Sequence, residues 1–271
     1  MIESMKTNKS SNEISLGETR DNGITIKSSE ELAHMRDAGR IVGLTLKKLR
    51  ELIEPGVSTI ELDQFAEQEI RKQGGIPAFK GYRGFPGTLC VSVNDQIVHG
   101  IPGELVIREG DIISLDLGAI VEGFYGDSAI TVGVGTISTE DQRLLEVCED
   151  SLWAGIRQVR PNNRIGDIGA KIEETIENHG RYGIVREYGG HGIGHMLHEE
   201  PFIPNFGVAG RGLILRAGMV VAIEPMVNLG GDATRVLNDN WTVVTADGAR
   251  SAHFEHTVAV TSEGFEVLTS V

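Results

Sequence analysis

Apolar residues recur at helical spacing in four stretches of the chain, and the segments between them read as strands and loops. Leu32, Met35, Ala38, Ile41, Val42, Leu46 and Leu49 follow the helix-start signal Ser28-Ser29-Glu30-Glu31, and Pro55-Gly56 ends that pattern. Ser58-Thr59 caps a second helix with Leu62, Phe65, Ala66 and Ile70 inward, and Gly74-Gly75 closes it. A third starts near Ser138-Thr139-Glu140, carries Leu144, Leu145, Val147, Cys148, Leu152, Ile156 and Val159, and is stopped by Pro161. The fourth runs from Ile165 to His179, before Gly180. Residues 76–110 read as loop and short strands, and 219–225, 241–245 and 253–260 as strands.

The most informative stretch is GDIISLDLGAIVEGFYGDSAITVGV, two strands around a turn at Glu122-Gly123. A two-residue turn there sets Asp116 opposite Ala129 and Gly118 opposite Asp127. The two carboxylates then share one face as diagonal neighbours, roughly 7–8 Å apart at Cα. Two such groups set in apolar strands repel and are costly to bury unpaired. Either both point to solvent on a polar hairpin face, or a cation sits between them; the stretch alone leaves both readings open.

A near-copy of this stretch shifts the balance. The order helix, Pro, helix, Gly, strands occurs twice, with Pro55 and Gly74 matching Pro161 and Gly180 at a shift of 106. REGDIISLD (108–116) resembles RAGMVVAIE (216–224), which aligns Asp116 with Glu224. GDSAITV (126–132) resembles FEHTVAV (254–260), which aligns Asp127 with Glu255. Two similar halves with two carboxylates each imply a pseudo-twofold domain whose site lies on the axis. Four carboxylates and one imidazole carry the charge that two divalent ions balance, and such oxygen-rich sites suit Mn, Fe, Co or Zn.

Composition narrows the partners. The 271 residues carry a net charge of −14, which argues against a nucleic-acid surface. The two cysteines, Cys90 and Cys148, are far apart and form no CxxC pair, as suits a reducing compartment. There is no signal-peptide h-region and no run of 18 apolar residues, so a soluble, cytoplasmic protein is expected. Residues 1–23, rich in Ser, Asn, Glu, Lys and Thr, read as a flexible extension, and 24–271 as one domain built from two halves. His191, His195 and His198 have spacings that ligate zinc on a helix, but the surrounding glycines in GGHGIGHMLHEEP favour a loop. Cys90 and Trp241 suit plain core on their own chemistry. His253, two residues before Glu255 on one strand face, is a candidate support for a ligand.

These residues carry a resemblance. VSVNDQIVHGIP, DIISLDLG, GFYGDSA, GGHGIGHMLHEEP, AIEP and FEHTVAV occur in the order seen in methionine aminopeptidases of the type I class, over residues 24–271. The spacing of thirty-one between Glu224 and Glu255 lacks the insertion of the type II class. The resemblance implies an α+β pita-bread (creatinase/aminopeptidase) fold: a pseudo-twofold antiparallel sheet with two pairs of helices outside. It implies two divalent ions (Co, Mn, Fe or Zn), with Asp116 on one, His191 and Glu224 on the other, and Asp127 and Glu255 bridging. It also implies hydrolytic removal of the initiator methionine, before a small second residue, through a hydroxide shared by the ions. Glu224 would carry the proton, while His198 and His99 would contact the substrate. Tyr82, Phe85, Cys90, Leu197 and Trp241 would form the methionine pocket, Phe85 and Leu197 standing where the family usually has Tyr and Phe. The implied partners are N-terminal methionyl peptides and nascent polypeptides, with the ribosome exit region as a candidate contact and no specific nucleic acid or membrane. By the same analogy the chain is a monomer. Related pita-bread X-Pro peptidases and non-catalytic binding modules are the alternatives; the first usually carry a large N-terminal domain, and the second typically lose ligands that are all present here.

Overall fold

The computed structural model describes residues 18–19 and 23–271. Most of the expected extension, residues 1–17 and 20–22, lies outside the described residues; Glu18–Thr19 within it pairs with Thr25–Ile26 as a short antiparallel ribbon.

The four expected helices are present. Helix α1 spans Ser29–Leu52 behind a capping box of Ser28 and Glu31, and α2 spans Thr59–Lys72 behind Ser58 and Glu61. Helices α3, Thr139–Ile156, and α4, Ile165–His179, form the second pair; α3 ends five residues before the expected stop at Pro161. Strands Ile112–Val121 and Phe124–Gly133 form the expected hairpin, with Asp116 opposite Ala129 and Gly118 opposite Asp127. Glu122 and Gly123 both have positive φ, 49° and 80°, as a tight primed turn requires.

This hairpin is the middle of a nine-stranded antiparallel sheet. Across it run Glu199–Ile203, Gly190–Gly192, Val220–Ile223, Glu255–Val260, Phe124–Gly133, Ile112–Val121 and Ile76–Pro77, while Leu89–Val93 also pairs with Ile112–Val121 and Phe265–Val267 with Glu255–Val260. Alternation assigns the two faces. Ile113, Leu115 and Leu117 join α1 and α2 in one buried core, and Val221, Ile223, Val258 and Val260 join α3 and α4 in another. The intervening residues, Asp116, Asp127, Glu255 and Glu224 among them, fall on the opposite face. A one-residue slip would send all four into the helices, so the apolar pattern fixes their placement.

Three strand expectations change. The stretch 219–225 continues beyond a break as Met226–Asn228, and 253–260 is preceded by Ser251–His253. Both sides keep one register, with Ile223 opposite His256 and Met226 opposite His253. The break falls at Pro225, which has no N–H to give the ladder. The stretch 241–245 begins as a strand only at Val243. The expected Gly- and His-rich loop, 186–201, contributes two strands, Gly190–Gly192 and the start of Glu199–Ile203. Its glycines allow this: a Cβ on Gly190 would lie 2.2 Å from the Ala222 carbonyl oxygen, and one on Gly192 would lie 2.1 Å from that of Glu200.

Helix α1 touches the chain end just as closely, since a Cβ on Gly39 would lie 2.3 Å from the Leu268 carbonyl oxygen. Gly39→Ala is therefore expected to destabilise the protein by about 1–3 kcal/mol in denaturant melts. Gly264→Ala, with nothing within 4 Å of its Cβ, should change stability by no more than about 0.5 kcal/mol. Equal effects would contradict the tight α1 contact.

Candidate metal centre and substrate cleft

Sheet register assembles the site from two neighbouring rows on the face away from the helices. One row runs Cys90, Asp116, Ala129, Glu255, each opposite the next. Glu224 extends it, being one residue beyond the Ile223–His256 pair. The second row holds Gly118 and Asp127, then Thr257, Ala222 and His191; Asp127 and Thr257 exchange two hydrogen bonds through the Thr257 hydroxyl. Small residues, Ala129 and Ala222, stand between the site residues of the two rows, while Gly118 makes room for Phe79, whose Cε1 would lie 2.7 Å from a Cβ there. The register also corrects the expected symmetry: with Asp127 set on Glu255, Glu224 takes the place of Gly118, not that of Asp116. The sequence match between 116 and 224 is offset by two residues in space.

Asp127, His191 and Glu255 each bring a ligand atom within 4.8 Å of the others. His191 Nε2 lies 3.9 Å from Asp127 Oδ2 and 3.7 Å from Glu224 Oε1. Asp116 Oδ1, Asp127 Oδ1 and Glu255 Oε1 are buried with no hydrogen-bond partner among the described residues. Burial pushes the Asp116 carboxyl up to about 7. Burial, and then Asp116 and Glu224, raise Asp127 well above the usual carboxylate range; burial and Asp127 do the same to Glu255. Burial alone would raise Glu224 too, but His253 and His191 beside it hold it below its ordinary value. His253 Nε2 lies 3.5 Å from Glu224 Oε2, so the candidate support does touch a candidate ligand. The clustered ligand atoms of Asp127, His191 and Glu255, with one carboxylate oxygen on each acid buried and without a donor, fit a divalent cation, which replaces repulsion by coordination.

Every residue expected at the site lines one cavity of about 170 Å³. The carboxylates and His191 form its floor, and Tyr82, Phe85, Cys90, Leu197 and Trp241 form an apolar wall. Phe85 and Trp241 pack edge to face at 5.1 Å. Trp241 reaches the wall from the turn before Val243–Thr245, where its N–H donates to Asp239, and not from a strand. His99 has a positive φ of 60° and sits edge-on to Trp241 at 6.2 Å. Tyr82 Oη meets His198 Nδ1 at 2.9 Å, and burial followed by His191 pushes the His198 imidazole down to about 4. A second cavity, with Tyr188 and Phe202 in its wall, shares His99, His198 and Glu224 with the first. His195 stays out of the site, on Glu31 and Phe124. Phe79 and Arg83 also line the first cavity and had no sequence signal.

A model of metallopeptidase family M24 matches residues 33–262. The chain belongs to that family. Methionine aminopeptidase 1 of Bacillus subtilis is 54% identical over 248 residues, which cover 92% of this chain and all of that one. The crystal structure of the methionine aminopeptidase of Thermotoga maritima superposes with a TM-score of 0.90 at 43% identity, covering 92% of this chain and 100% of that one. The prolidase of Pyrococcus furiosus, 22% identical with a TM-score of 0.72 over 91% of this chain and 65% of its own, shares the fold. The M24 chain thus has the expected α+β pita-bread architecture and is a metallo-exopeptidase.

A carboxyl raised on folding costs stability above its unfolded pKa, and the full cost is present above its folded pKa. Asp116→Asn should therefore stabilise the chelator-stripped M24 chain more at pH 8 than at pH 5. Adding Mn²⁺ should raise the wild-type melting temperature more than that of the variant. Identical pH and metal responses would show that Asp116 is not in the cation site.

Proposed function

We propose that the chain hydrolyses the first peptide bond of peptides and newly made proteins that begin with methionine, preferring a small second residue. The observation that carries this reading is the join between pocket and acids. Cys90, in the apolar wall, is the ladder partner of Asp116, so a bound side chain ends where the carboxylates begin. An unbranched thioether fits such a wall. The second cavity shares His99, His198 and Glu224 with the first, which supports a scissile bond among those three with the rest of the substrate beyond them.

Two divalent ions are the occupants that suit the charge. Asp116 would hold one, His191 and Glu224 the other, with Asp127 and Glu255 between them. Bound there, such ions supply Lewis acidity and lower the pKa of water toward neutrality. Glu224, kept ionised by His253 and His191, takes the proton of the attacking water and passes it to the leaving nitrogen. His198 is neutral above pH of about 4; with Nδ1 on Tyr82, its Nε2 faces the substrate amide or the developing oxyanion. His99, also held neutral by burial, contacts the substrate backbone. A single chain supplies every one of these residues, as a monomer acting on nascent chains requires. Two free buried cysteines suit a reducing, cytoplasmic setting, and among the described residues no helix is long and apolar enough to cross a membrane.

A Met-Ala-Ser peptide should be cleaved by the Mn²⁺-loaded protein and not by the stripped one, and far better than an Ala-Pro peptide. Preference for Ala-Pro would move the reading to the X-Pro peptidases. Glu224→Gln should lower kcat by about 10²–10⁴-fold at full metal occupancy, with KM much less affected. Equal losses in turnover and peptide binding would argue against its proton role.

A further inference from the structure

The loop that presents Leu197 and His198 is anchored by a buried charge outside the site. Glu199 follows His198 directly, and its side chain is 2% exposed. Its Oε1 accepts the Met196 N–H at 3.2 Å, and its Oε2 accepts Lys27 Nζ at 2.8 Å and the Thr25 hydroxyl at 2.6 Å. The Lys27 side chain is only 4% exposed and also donates to Thr25 Oγ1. Its backbone is pinned in turn, since the Lys27 N–H donates to the Gly218 carbonyl at the base of strand Val220–Ile223. Gly194 leaves space for the contact, because a Cβ there would lie 2.5 Å from Lys27 Cε and 2.6 Å from Glu199 Oε1. Thr25 and Lys27 precede residues 33–262, which the family model matches.

A buried ion pair is weak evidence for stability, since apolar residues of similar volume often serve as well. What an apolar pair lacks is the three-donor geometry that fixes one loop conformation. Residues 195–198 need such fixing: Ile193 and Gly194 are held by backbone hydrogen bonds to Val220 and Tyr125, whereas the stretch beyond them runs without a regular element to Glu199–Ile203 and carries His198, whose Nδ1 meets Tyr82.

We propose that Lys27 and Thr25 form a strap that, through Glu199, holds the 194–198 loop so that His198 and Leu197 stand in register with the carboxylate rows. Lys27 is thus a positioning residue, touching neither substrate nor ion. Its kinetic consequence rests on the peptidase reading above; its structural consequence does not.

The test is Lys27→Met/Glu199→Met, which swaps the pair for apolar side chains of similar volume. Its unfolding midpoint and manganese content should stay at the wild-type level. On a Met-Ala-Ser peptide, kcat should fall about 10–100-fold with KM within about threefold, as displacement of a catalytic group by an ångström can cost. Amide exchange at residues 194–199, read by mass spectrometry without substrate, should quicken by about tenfold or more, while Val221 and its sheet neighbours stay protected. Thr25→Val, which keeps shape and removes one donor, should show the same local quickening to a smaller degree. Wild-type kcat in the double variant, or exchange that quickens across the whole sheet, would overturn the strap. Quickened loop exchange in a chain whose wild type ignores methionyl peptides would keep the strap and remove the methionine reading.

Discussion

Four carboxylates held against one another, with no lysine or arginine of the described residues paired to them, set the terms for the rest of this structure. Each is costly to bury, and each raises the cost for its neighbours, as the upward displacement of Asp116, Asp127 and Glu255 shows. Such a cluster persists only when the surrounding frame is stiff enough to deny the side chains another arrangement. The nine-stranded sheet provides that frame, because its register, not side-chain choice, places the acids in two adjacent rows. That repulsion is what a divalent cation relieves, because coordination offsets the cost of burial.

The frame must then be fastened to its helices without filling the face that carries the acids. Close backbone contacts do this on the far side. A Cβ on Gly126, next to Asp127, would lie 2.7 Å from the Gly39 nitrogen of α1, so helix and hairpin meet backbone to backbone. The alternation that sends Leu115 and Leu117 into the helical core sends Asp116 and Gly118 to the cleft. Stability and chemistry are thus written on alternate residues of the same strands.

Side chains that do not belong to the sheet complete the cleft. His99 is aimed by a left-handed backbone, Trp241 by a turn capped on Asp239, and His198 by a loop tied down through Glu199. These three elements come from distant parts of the chain, and none has a regular element beneath it. They determine what the metal centre meets. The apolar wall lies beside the carboxylates, and the second cavity adjoins it through His99, His198 and Glu224.

Much of this was legible in the sequence because it rests on local rules. Helix α4 ends where Gly180 says it should, and the Glu122-Gly123 turn sets the pairing of Asp116 with Ala129. The repeated order of elements and the motifs around Asp116, Asp127, His191, Glu224 and Glu255 were enough to expect a carboxylate-rich metal site. Long-range facts were not legible. The two-residue offset between Asp116 and Glu224 depends on the register between the two halves, which no single segment encodes. The break at Glu224-Pro225 continues in one register only because both strands are held by their neighbours. Arg83, Phe79 and the Lys27–Glu199 pair carry no periodic or spacing signal, since their meaning comes from what lies across a space of folded chain. The sequence by itself determined which residues bear charge, where helices stop and which face each strand residue takes, because those depend on neighbours in the chain. Only the tertiary structure decided which of those charges meet, because burial and repulsion act through space and depend on how the two halves are joined.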